Sequence, residues 1–120
     1  MLGVSLDDFI KGVAASLVVQ GVTKIDDELL DLKLVKAFTV FHDICERDGH
    51  ELRFHLELSP FTQLTHSGRI ALDRAAERGL LIKKLEGWDI TVPVESAERI
   101  LQQLPSSPEA WLKVSSQLVK

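Results

Sequence analysis

The sequence predicts an α+β chain, predominantly helical, with a small antiparallel sheet. Three observations carry this. Apolar residues recur at helical spacing in several blocks, each closed by glycine or proline. From Glu51 to Leu58 they alternate strictly, which is the period of a strand with one buried face. Two short apolar runs flank Glu86-Gly87, which reads as a hairpin.

Taken in order, Ser5 with Asp8 forms a capping box, and Leu6, Phe9, Ile10, Val13, Ala14, Leu17 and Val18 follow on one stripe. The first helix is expected from about Leu6 to Gln20, with Gly21 as its stop. Ala15 and Val19 widen the stripe, so this helix either sits deep in the core or lends a face to a partner. Asp26 is expected to cap a second, longer helix, in which Leu30, Leu34, Ala37, Phe38, Phe41, Ile44 and Cys45 keep one phase as far as Gly49. The strand from Glu51 to Leu58 turns Leu52, Phe54, Leu56 and Leu58 inward.

Two readings of the next stretch stand side by side. In one, an unbroken helix runs over 60–78, giving a β-α-β-β scaffold flanked by helices. In the other, Thr65-His66-Ser67-Gly68 interrupts it, because those residues favour caps and turns. A short helix at Pro60 to Leu64 then precedes a second one from about Gly68 to Arg78. Beyond Gly79 come Leu80 to Leu85, the turn at Glu86-Gly87, and Trp88 to Val92 with Trp88, Ile90 and Val92 on one face. Ser96 is expected to cap a helix bearing Ile100, Leu101 and Leu104. Ser107 with Pro108 opens a last one bearing Trp111, Leu112, Ser115, Leu118 and Val119. No repeat or linker divides residues 1–120, so a single domain is expected.

Composition narrows the function classes. A chain of 120 residues with 45% hydrophobic and 27% charged residues buries its own core without disulfide or metal. The single Cys45 fits a reducing, cytoplasmic setting. The most apolar stretch, Phe9 to Val22, holds Lys11 and follows Asp7 and Asp8, so it reads as a buried helix and no membrane contact is expected. The net charge of −4 gives no global attraction to polyanions, yet Arg69 to Lys84 carries +3, leaving −7 for the rest.

At this point the chain resembles the winged helix-turn-helix family. Ser67 to Arg78 resembles a recognition helix, Arg78-Gly79-Leu80-Leu81 its glycine stop, and Lys83 to Thr91 the wing. The resemblance implies a winged-helix-like, dimeric DNA-binding regulator. It implies that His66, Ser67, Arg69, Arg74 and Arg78 approach duplex DNA, while Lys83 and Lys84 neutralise phosphates. The alternative is a protein-protein interaction module, with homodimer or partner contacts through the terminal helices. The basic residues are then a solvated face, with Arg69–Asp73 and Arg74–Glu77 as local helix pairs.

No pattern points to catalysis, and binding is the expected activity. The glycines form neither a dinucleotide fingerprint nor a P-loop, and no nucleophile elbow or HExxH occurs. His42, Glu46, His50 and His55 could bring metal-type ligands together, but not at a known ligand spacing, so no metal or cofactor is expected. Cys45, Trp88 and Trp111 read as buried packing residues.

Overall fold

A computed structural model of the chain describes residues 3–119. The elements are β1 (Gly3–Val4), α1 (Leu6–Val19), β2 (Lys24–Asp26), α2 (Leu30–Asp48), β3 (Glu51–Leu52), α3 (His66–Glu77), β4 (Leu81–Lys84), β5 (Gly87–Ile90), α4 (Val94–Gln103) and α5 (Pro108–Ser115). A 3-10 turn at Ser116–Leu118 continues from α5. The α+β class holds: five helices surround one core, and a three-stranded antiparallel sheet is attached to it.

The capping box at Ser5 forms in full, with Ser5 Oγ accepting from the Asp8 N–H at 3.1 Å and Asp8 Oδ2 from the Ser5 N–H at 3.2 Å. α1 is buried nearly all round, with α3, α4 and α5 packed on it. It is the central core helix. Gly12 lets the Trp111 ring lie on its backbone, since a Cβ there would fall 2.5 Å from a ring carbon. The one polar group on this buried face, Ser16, meets Ser115 at 2.8 Å, and Gln20 also donates to Ser115. Burial without these bonds would be costly. Phe9 and Phe41 complete the aromatic centre with Trp111, at ring separations of 4.5 to 6.4 Å.

α2 keeps the expected apolar phase and stops at Gly49, which is left-handed with φ 76°. Its start differs from expectation. Asp26 is not the cap: it ends β2, and its carboxylate accepts the Glu28 N–H at 2.9 Å. Pairing with β5, some sixty residues away, pulls Lys24–Asp26 into the sheet and delays the helix to Leu30.

The strand expected over 51–58 is cut to β3, which pairs in parallel with β1. The alternation is real as far as Leu56, with Leu52, Phe54 and Leu56 on the core and Phe54 stacked on Phe9 and Phe38, while Leu58 is half-buried beyond it. Among the described residues no strand pairs with the remainder, which carries no ladder. Ser59 to Leu64 is a closed turn, with Ser59 N–H bonded to Leu64 O and Gln63 N–H to Ser59 O. Neither the unbroken helix over 60–78 nor the short helix at Pro60 to Leu64 is present. α3 begins at His66, within the four residues expected to interrupt a helix.

The sheet order is β2-β5-β4, all antiparallel. Lys84 pairs with Gly87, so the hairpin turns at Leu85-Glu86, one residue earlier than expected. Gly87 serves close approach rather than the turn: a Cβ there would lie 2.1 Å from the Ile25 carbonyl oxygen of β2. Ile25, Leu81, Trp88 and Ile90 form the buried face. α4 starts at Val94 with Pro93 in the N-cap position and no side-chain cap, so Ser96, expected as the cap, lies inside the first turn. α5 starts as expected, with Ser107 accepting the Ala110 N–H and Pro108 in the first turn.

Candidate interaction surface

α3 leads into the β4–β5 hairpin through Gly79, so the seven residues expected to contact DNA fall on one connected unit. Their side chains do not form a shared positive face. Arg69 turns inward, with Nε and Nη2 on the two oxygens of Asp31 at 3.0 and 2.5 Å, and Nη1 on Asp27 at 2.6 Å. Asp31 is 6% exposed and also accepts the N–H and hydroxyl of Thr65, both at 2.9 Å. Burial raises the Asp31 carboxyl pKa. The bonds from Arg69 and Thr65, with the Arg69 charge, outweigh that and hold it below 3.8. The Arg69 pKa is raised, chiefly by its bond to Asp31.

Arg74 reaches back to α1, with Nε 2.9 Å from Asp7 Oδ1, and Arg78 Nη2 lies 3.5 Å from Asp7 Oδ2. The expected local pairs Arg69–Asp73 and Arg74–Glu77 are not among the ion pairs of the described residues. Tertiary carboxylates on α1 and at the β2–α2 junction replace them, because α3 packs with its basic edge toward those acids. Lys83 Nζ lies 4.6 Å from the centre of the Trp88 ring, and Lys84 Nζ 3.9 Å from Asp89. His66 Nε2 meets Thr62 Oγ1 at 3.3 Å, and Ser67 is exposed.

The outward side of α3 therefore presents His66, Ser67, Ile70, Asp73 and Glu77. Ile70 is 54% exposed, and Phe61, in the turn just before α3, is 93% exposed. At the hairpin, Ile82 and Leu85 are 47% and 98% exposed. These apolar residues were missed as site candidates from the sequence, as were Asp7, Asp27 and Asp31 as partners for the arginines. One signal was available. Asp31 lies three, seven and ten residues before Leu34, Phe38 and Phe41, so it shares the buried stripe, and a carboxylate there requires a partner.

The remaining candidates are less organised. His42, Asp43 and Glu46 bring ligand atoms within 4.8 Å of one another, all on exposed side chains of α2. His55 stands edge-on to Phe38 at 5.2 Å and borders a shallow groove with His42. The Cys45 thiol is buried, and its pKa is pushed up to about 11, by burial first and by Asp48 second, which makes it inert at neutral pH. An open groove of about 480 Å³ lies beside the hairpin tip, bordered by Lys24, Asp26, Lys84, Leu85 and Asp89. Its acids and bases alternate without a nucleophile and base set against each other.

The terminal helices offer little apolar surface. α1 is covered within the chain except at its last residue, Val19, which is 38% exposed, and Trp111 of α5 is fully buried. Among the described residues, no helix is long and apolar enough to cross a membrane. Comparison with protein families, curated proteins and solved structures finds no match.

Proposed function

We propose that this chain is a winged-helix-like domain whose α3 and hairpin recognise another protein. The winged-helix reading draws support from the order α1, β2, α2, α3, β4, β5 together with the sheet order β2-β5-β4. In this arrangement α2, not the segment Pro60 to Leu64, stands as the first helix of the motif. Residues 49–65 form an unusually long connection to α3.

The observation that favours a protein partner over DNA is the outward side of α3. In DNA readers of this shape that side enters the major groove. Here Asp73 and Glu77 occupy it beside Ile70, while Arg69 and Arg74 point at carboxylates of their own chain. Carboxylates facing phosphates repel, and the net charge of −4 adds to the repulsion. An exposed Ile70 set between His66, Asp73 and Glu77 suits a protein surface of apolar and basic character. The DNA reading keeps Lys83 and Lys84, exposed on the hairpin, as its best support.

Two measurements separate the readings. In fluorescence anisotropy with mixed-sequence duplex at about 50 mM salt, we expect no saturable binding. A salt-dependent isotherm weakened by Lys83→Glu with Lys84→Glu would establish the DNA reading instead. In cells, a photo-crosslinking residue at position 70 is expected to capture one discrete protein, and Asp73→Lys with Glu77→Lys to abolish that capture. No discrete capture refutes the protein reading, and equal capture by the charge-reversed chain refutes the part given to Asp73 and Glu77.

A further inference from the structure

We infer that the outer edge of β4 is a pairing site for an extended, acidic strand of a partner protein. This rests on and deepens the protein-recognition reading: beside the apolar and basic surface that suits α3, it gives the same partner an extended acidic segment at the hairpin edge. The register fixes which backbone groups are free. Thr91 N–H bonds to Leu80 O at 3.0 Å, so Leu80, and by alternation Ile82 and Lys84, direct their N–H and C=O groups toward β5. The other strand agrees: Ile90 N–H bonds to Thr23 O and Asp27 N–H to Glu86 O, so the even-numbered residues of β5 face β2. Leu81 and Lys83 must then direct their backbone groups away from the sheet. β4 pairs with β5 alone, and no backbone bond from Lys83 to another segment is present among the described residues.

Such an edge is a template for an added strand. Its side chains say which strand. From Ile82 to Leu85 every residue is exposed, with two apolar side chains flanking two lysines. A second copy of this chain is a poor occupant, because antiparallel pairing centred on Lys83 or Lys84 sets that lysine opposite its own copy, and like charges directly opposed destabilise a pair. An incoming strand that alternates carboxylates with branched apolar residues meets Lys83 or Lys84 with opposite charge. It covers Ile82 or Leu85 with its other residues. The lysines thus guard the edge against self-association while leaving it open to an acidic strand.

The test uses the full chain, labelled with 15N, and a capped eight-residue peptide alternating valine and glutamate. Addition of the peptide is expected to shift the amides of Leu81, Lys83 and Leu85 more than those of α3. Lys83→Pro removes the outward-facing N–H together with the Lys83 charge and is expected to weaken binding about ten-fold, with the β4–β5 pairing retained. Because that variant could disturb the hairpin, Lys83→Glu with Lys84→Glu is the second arm. It keeps the backbone and should exchange preference to a peptide alternating valine and lysine. Shifts centred on α3, no shifts at millimolar peptide, or an unchanged preference in the charge-reversed chain would each overturn the inference. The duplex and crosslinking measurements above are independent of the peptide, so loss of the edge site alone leaves the protein-recognition reading standing.

Discussion

Replacing Asp31 with alanine removes the acceptor for four donors at once: the Thr65 N–H and hydroxyl, and two nitrogens of Arg69. Breaking a buried ion pair by deleting one member costs roughly 3–5 kcal/mol. Arg69 is partly exposed and keeps Asp27, so the Asp31→Ala cost is set lower, at about 2–3 kcal/mol. Arg69→Met leaves the buried Asp31 carboxylate bonded to Thr65 but without a counter-charge and should cost a similar amount, about 2–3 kcal/mol. The double variant should fall short of the sum by about 1 kcal/mol, because each single change already breaks the shared bonds. Urea unfolding of the four proteins measures this. The folded carboxyl titrates below its ordinary 3.8, so its stabilisation is complete above 3.8 and disappears as pH falls through the folded value. The wild-type advantage over Asp31→Ala should therefore shrink in acid. Additivity within about 0.5 kcal/mol, or an Asp31→Ala cost under about 1 kcal/mol, would refute the assignment of Arg69 to the fold and return it to the pool of free cations.

Three further outcomes follow from single positions. With its pKa near 11, the Cys45 thiol should react with an aromatic disulfide at pH 8 far more slowly in the native chain than in urea, and equal rates would contradict its burial. Gly12→Ala should destabilise by about 1 kcal/mol, because crowding the Trp111 ring costs roughly 1–3 kcal/mol and better helix propensity returns about 1; a stabilised variant would show that the two helices are not in close contact. Phe61→Ser should leave the urea midpoint within about 0.5 kcal/mol of wild type, and a larger loss would mean that the side chain packs against the chain.

The sequence was most informative where a signal was short in range. The Ser5 and Ser107 caps, the glycine stops at Gly21, Gly49 and Gly79, and the inward set Trp88, Ile90 and Val92 all depend on neighbours within a few residues. Those features formed where expected. Asp26, by contrast, carries as good a cap signal as Ser5, and the chain uses it otherwise because β5 claims the backbone beside it. The alternation from Leu52 to Leu56 likewise determined which side chains turn inward but could not supply a neighbouring strand.

The candidate surface divides along the same line. By itself, the sequence determined the helical α+β class, the apolar stripes, the hairpin and the clustering of five basic residues between Arg69 and Lys84. Only the tertiary structure decided what those charges do. It turned Arg69 onto Asp31 and Asp27, brought Arg74 and Arg78 toward Asp7, and left Asp73, Glu77 and Ile70 facing outward. Helical periodicity tells how residues share a face. It does not tell which distant carboxylate that face will meet, because charge pairs form across contacts that only the packing of α3 against α1 and α2 creates.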